Sequence, residues 1–218
     1  MLDKKKSAKS KTAAPAKSAP TKPAPAKSAP PKTPKSSSAK SGAAKQPTTF
    51  ADLLFARASA EDLGAFDEAF RSEAADIAYH HLSSPRRPGA HNIRLTDHVA
   101  RISGRDRDLT LIEVVNDNKP FLLDSTLAEL GERGIEPLLV LHPILAIERD
   151  AKGEFLRFAG DATSSAPQGA RRESLIEIVI DRLPSEEARQ ALIHGLDLVY
   201  RDVHVAVADW VSMRGQLA

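Results

Sequence analysis

The sequence contains no cysteine, and it has no apolar run long enough to span a bilayer. The first absence excludes disulfides and thiolate metal sites, and the second excludes a transmembrane helix. The first 47 residues contain no arginine and no apolar central block, so they resemble neither a mitochondrial presequence nor a secretory signal. We therefore expect a soluble, cytoplasmic protein that makes no contact with membranes.

Acidic residues are almost missing from the first 47 residues, which hold twelve lysines and the single acid Asp3. The rest of the chain carries a net charge of −9, although the charge of the whole chain is +2. Eight of the fifteen prolines also lie in this first segment, which predicts a disordered Lys/Pro/Ala-rich tail over residues 1–47. Such a tail would bind nucleic acid weakly and without base selectivity, or it would act only as a solubilising extension. The candidate polyanion contacts are Lys4, Lys5, Lys6, Lys9 and Lys11.

A helical segment is predicted over residues 48–90. Apolar residues recur there at intervals of three and four, and Ser59 is the expected N-cap of a helix that continues to about residue 82. The sequence SSPRRPG, residues 83–89, ends this pattern because two prolines and a glycine cannot continue a helix.

The remaining residues, 91–218, alternate between strand and helix patterns. Strands are predicted at 92–95, 109–115 and 173–183 and in a hairpin formed by 135–150 and 154–160, with a helix at 120–134. A long helix is predicted over 185–211, with an apolar stripe formed by Leu192, Leu196, Val199, Val203, Ala206 and Trp210. This order predicts an α+β, ferredoxin-like sandwich, in which helices cover one face of a mostly antiparallel sheet.

No catalytic constellation is visible in the sequence. The glycines do not form a dinucleotide-binding turn, and the seven histidines do not form an HExxH motif. Ser125 lacks the surroundings of a nucleophile elbow. Asp117, or else Asn118, is interpreted as the cap of the helix that follows, and Asp124 as a first-turn carboxylate, so Asp117 and Asp124 are not read as an acid/base pair. We expect no catalytic, cofactor-binding or metal-binding residue in this chain.

One stretch carries a family resemblance. The sequence EVVNDNKPFLLDSTLAELGERGIEPLLVLHPIL, residues 113–145, resembles the N-terminal region of the large bacterial NAD-specific glutamate dehydrogenases. The resemblance continues through LLFARASAEDL, RRPG, ESLIEIVIDRL and DVHVAVADWVSM, and it covers roughly residues 50–213.

The resemblance implies an ACT-type module. The pattern of such modules is matched by Asp117, Pro120, Leu122, Leu123, Gly134 and Ile135. ACT modules commonly hold a carboxylate ligand at the first loop, where backbone amides begin a helix. The candidate regulatory-ligand loop therefore comprises Asn116, Asp117, Asn118, Pro120, Phe121 and Leu122. Many ligand-binding ACT loops have glycine after the proline, whereas Phe121 crowds that approach here.

The family oxidises L-glutamate with NAD⁺ and water to 2-oxoglutarate, ammonia and NADH, in amino-acid catabolism. The resemblance implies that this chain is a non-catalytic regulatory or assembly domain, either a fragment or a truncated product, that binds no cofactor itself. Its expected partners are the catalytic part of the same enzyme or a second copy, together with an amino-acid effector. The alternative is a stand-alone ACT-like sensing or binding protein with a basic, polyanion-binding tail.

Overall fold

The computed structural model describes residues 49–216, and it describes side chains as far as residue 208. The predicted tail lies outside the described residues, with the five lysines named as candidate polyanion contacts, as does the Trp210 side chain. The helices and strands, in chain order, are α1 (Phe50–Phe55), α2 (Ala60–Ala65), α3 (Glu68–Leu82), β1 (Asn92–Ile102), β2 (Arg105–Asp117), α4 (Leu122–Glu132), β3 (Pro137–Leu141), β4 (Ile144–Arg149), β5 (Phe155–Asp161), β6 (Arg171–Asp181) and α5 (Glu186–Gln216).

The first three helices begin at side-chain caps. Thr49 forms a capping box at α1, and the hydroxyl of Ser59 accepts the backbone N–H of Asp62 at 2.9 Å, which confirms the predicted cap of α2. The prediction of one continuous helix from there to residue 82 is wrong. Phe66 has an extended backbone and pairs with Ile102 of β1, and Asp67 caps a new helix at this break.

Six strands form one antiparallel sheet in the order β1-β2-β6-β4-β5, and β3 also pairs with β6. Strand β6 is central because β3 pairs with its second half and β4 pairs with its first half. The predicted hairpin is confirmed for β4 and β5, which pair antiparallel, but the predicted run 135–150 is divided into β3 and β4, and β3 does not belong to the hairpin. The mostly antiparallel α+β sandwich expected from the sequence is thus the observed fold class.

Helices cover both faces of the sheet. Helices α4 and α5 pack on the face that carries Ile176, Ile178 and Ile180, as the predicted sandwich requires. Helices α1–α3 pack on the opposite face, against Leu175 and Val179. Alternate residues of β6 thus lie on opposite faces, as the period of two in a strand requires. The predicted boundary between segments at residue 90 stays a prediction, although the apolar core under α1–α3 draws on residues from either side of it.

Helix α5 contacts the sheet through part of its length. Leu192, Leu196, Tyr200 and Val203 are buried, whereas Val199 of the predicted stripe is only half-buried. Tyr200 occupies the buried position expected for Val199, and its hydroxyl lies 2.6 Å from the Thr126 hydroxyl on α4. Among residues 49–216, no helix combines the length and apolar character needed to cross a bilayer.

Candidate functional site

The loop between β2 and α4 contains the residues that the sequence marked as a regulatory site. Asn116 and Asp117 end β2, and the backbone N–H of Asn118 donates to the carbonyl of Arg172 at 3.0 Å. Pro120 and Phe121 are exposed, and Leu122, the first residue of α4, is buried. The six residues therefore lie together, but their side chains face different surroundings.

Asp117 is not the cap of α4, so that interpretation is wrong. Its Oδ1 accepts from Nη2 of Arg86 at 2.7 Å, and its Oδ2 accepts the backbone N–H of Gly89 at 2.8 Å. Burial alone would raise the pKa of Asp117, but the hydrogen bond and charge of Arg86 hold it below its usual value. The carboxylate therefore serves to fix residues 86–89 against the end of β2.

Helix α4 begins without a side-chain cap. Phe121 occupies the N-cap position with φ 69° and ψ 0°, the left-handed region that favours glycine. Asp124 lies in the first turn, as expected. The backbone conformation thus suits the glycine of many ACT loops, while the side chain is an aromatic ring that is 62% exposed.

The side-chain amide of Asn116 is only partly hydrogen-bonded. Its side chain is fully buried, and Oδ1 lies 3.0 Å from Nε2 of His204, which donates to it in the matching tautomer. Its Nδ2 has no hydrogen-bond partner among the described residues. A buried, unpaired amide donor carries a free-energy cost of about 1–3 kcal/mol, which a ligand oxygen would remove.

His204 of α5, which contacts Asn116, lies beside a second histidine, His91, just before β1. The rings of His204 and His91 are 6.0 Å apart, and Nε2 of His91 lies 2.9 Å from Oδ1 of Asp197. Desolvation lowers the pKa of His204, and the charges of Lys119 and His91 lower it further. The sequence did not predict this cluster, because Asn116 and His204 are 88 residues apart and their contact depends on how α5 packs on the sheet.

A second polar pair borders Asn116 across the sheet. Ser174 is its direct partner on β6, and Nε2 of His142 lies 2.7 Å from the Ser174 hydroxyl. Ser174 is fully buried and desolvation lowers the pKa of His142. The Ser174 hydroxyl is therefore held in place by a partly buried histidine.

The opposite face carries a buried ionic network that anchors the chain between α3 and β1. Glu173 is fully buried and accepts from Nε of Arg149 at 2.8 Å and from Nη2 of Arg86 at 2.7 Å. The two guanidinium groups also donate to backbone carbonyls of Leu82, Ser84, Gly153 and Ala90. The RRPG motif is thus explained by structure, because Arg86 joins this loop to β2 and β6.

Gly153 permits the close approach of this loop to the turn between β4 and β5. Its φ is 92°, and a Cβ atom at this position would lie 2.5 Å from the carbonyl oxygen of Arg86. A larger residue would be strained in its backbone and would collide with the loop.

Glu113 and Glu177 form a carboxyl pair on the same face. They are direct partners on β2 and β6, and both are fully buried. Arg94 binds both oxygens of Glu113, at 2.9 and 2.7 Å, whereas Glu177 has no hydrogen-bond partner among the described residues. Burial and the neighbouring Glu113 raise the pKa of Glu177 well above its usual value.

The two strand-to-helix turns, residues 118–121 and 182–185, contain no glycine that would let a pyrophosphate approach backbone amides. Within residues 49–216, no group of three or more His, Asp or Glu side chains is placed to hold a metal.

A family model described as "Glutamate dehydrogenase, ACT1 domain" matches residues 50–196, about two thirds of the chain. The chain belongs to this family. The match runs from α1 into α5, so it includes the loop, the histidine cluster around Asn116 except His204, and both groups of buried charges.

Two curated relatives are similar to the chain, and both are named NAD-specific glutamate dehydrogenase. The protein from Halomonas elongata is 31% identical over 170 residues, which are 77% of this chain and 10% of that enzyme. The protein from Pseudomonas aeruginosa is 32% identical over 107 residues, 49% of this chain and 6% of the enzyme. The chain therefore spans only a small part of either relative. No solved structure matches it.

Proposed function

We propose that the chain is the N-terminal regulatory and assembly domain of an NAD-specific glutamate dehydrogenase. The match to the ACT1 model across residues 50–196 carries this proposal, and the names of the two relatives supply the enzyme. Deamination of L-glutamate would be carried out by parts of the enzyme outside this chain. The fully buried charged residues of the ACT1 domain serve its packing, which agrees with a structural and regulatory role.

An assay of the isolated chain tests where catalysis resides. We expect no NADH, followed by absorbance, when the purified chain is mixed with L-glutamate and NAD⁺, because its strand-to-helix turns do not fit a dinucleotide. The complete Halomonas elongata enzyme is the positive control. NADH production by the chain alone would refute the proposal that catalysis lies outside it.

The regulatory half of the proposal assigns an amino-acid effector to the loop between β2 and α4. The uncapped amides of α4 and the unpaired Nδ2 of Asn116 offer donors to a carboxylate. We expect calorimetric titration with the common amino acids to identify at least one that binds. Asn116→Asp should abolish the binding, since it keeps an acceptor for His204 and removes the donor.

Asn116→Asp should retain the circular dichroism spectrum of the unchanged chain, which shows that its loss of binding does not come from unfolding. If none of the twenty amino acids binds the unchanged chain, the effector is refuted and the assembly role remains.

A further inference from the structure

Phe121 combines an unfavourable backbone conformation with an exposed ring. A left-handed conformation costs a non-glycine residue of L configuration free energy, and a bulky aromatic has no local hydrogen bond to offset this cost. The described structure contains one other such residue, Ser103, with φ 48° in the turn between β1 and β2. Glycine would satisfy the backbone at Phe121 without strain.

The described part of the domain does not use the ring. Phe121 belongs to none of the apolar clusters that pack the two faces, and none of the aromatic contacts among the described residues includes it. The adjacent Pro120 is also exposed. Single exposed apolar residues are common, but strained backbone of this kind clusters at functional sites, so the strain at Phe121 points to a contact outside the domain.

We propose that Phe121 is a docking residue, which inserts its ring into an apolar pocket on the remainder of the glutamate dehydrogenase chain. This inference rests on the proposed function. The remainder is the chosen partner because the matched segment is 10% of the Halomonas elongata enzyme, so nine tenths of that enzyme is available to cover the loop. Aromatic residues in such pockets contribute disproportionately to binding.

Two substitutions separate the ring from the backbone strain. Phe121→Ala removes the ring and retains the strain, whereas Phe121→Gly removes both. In the isolated chain, Phe121→Gly should raise the ratio of folded to unfolded protein roughly 5- to 30-fold in urea unfolding. Ser103→Gly is the matched control for relief of strain, and Leu156→Ala is the control for loss of an apolar side chain that is 60% exposed.

Docking is measured in the Halomonas elongata enzyme with its matching segment replaced by that of this chain. Limited proteolysis at the junction after the segment reports how often the segment separates from the enzyme. Both Phe121 variants should raise the cleavage rate at least roughly tenfold, and both controls should leave it unchanged.

Equal cleavage of the unchanged chimera and the Phe121→Ala chimera would overturn the docking role. If the unchanged chimera is cleaved as fast as unfolded chain, the partner is wrong. If the isolated chain forms a dimer that Phe121→Ala dissociates, the pocket belongs to a second copy and the proposal is likewise refuted. The proposed function is judged separately, by the activity of the unchanged chimera.

Discussion

Replacing Glu173 with leucine is expected to lower the free energy of unfolding by about 3–5 kcal/mol. The substitution leaves the guanidinium groups of Arg86 and Arg149 buried without the carboxylate that both now contact, at 2.7 and 2.8 Å. Asp117 still pairs with Arg86, but Arg149 loses its only carboxylate among the described ion pairs. Urea unfolding followed by circular dichroism measures the loss.

An exposed ion pair provides the control for this experiment. Asp181 and Arg107 also lie 2.7 Å apart, but their side chains are 62% and 43% exposed. Asp181→Ala should therefore cost less than about 1 kcal/mol, because water and salt screen such pairs. Similar losses for Glu173→Leu and Asp181→Ala would contradict the structural role of the buried network.

Replacing Glu177 with glutamine is expected to stabilise the domain at neutral and alkaline pH. The pKa of Glu177 is raised in the folded state above its unfolded value near 4.5, so folding takes up a proton between these two values. This contribution to stability is complete below pH 4.5 and is lost as the pH rises toward the folded pKa. Glutamine copies the neutral acid at every pH and avoids this loss.

The difference in unfolding free energy between Glu177→Gln and the unchanged chain should thus grow with pH. Its slope can reach about 1.4 kcal/mol per pH unit for one proton. Glu132→Gln, on the exposed end of α4, should follow the pH profile of the unchanged chain. A constant difference between pH 4 and pH 9 would show that Glu177 does not titrate on unfolding.

Much of the fold could be predicted because local patterns agree with tertiary contacts. The period of two along β6 is typical of a strand with two buried faces, and Ile176, Ile178 and Ile180 indeed face α4 and α5 while Leu175 and Val179 face the other helices. The strand-loop-helix motif that identified the family also lies where the sequence placed it. These features are encoded within a few residues of one another.

Features that depend on distant partners were missed. The break between α2 and α3 lies where Phe66 pairs with Ile102. Asp117 binds Arg86 and does not cap α4 as expected. Tyr200 replaces Val199 in the core because Thr126 supplies a hydrogen bond from another helix. Helical periodicity contains no information about these partners, which lie 31 to 74 residues away.

The candidate site shows the same limit. The sequence identified the loop by its motif, but it did not predict that Asn116 would be buried with a free amide donor beside His204. It also gave no sign that Glu113 and Glu177 would be cross-strand partners, because pairing register depends on the assembled sheet.

The activity of the Halomonas elongata chimera tests the central claim most directly. The claim is that this chain supplies a working ACT1 domain to a glutamate dehydrogenase. We predict that deletion of the matching segment abolishes assembly or NADH production, and that insertion of this chain's segment restores both. Full activity after deletion, or failure of the chimera to exceed the deleted enzyme, would contradict the claim.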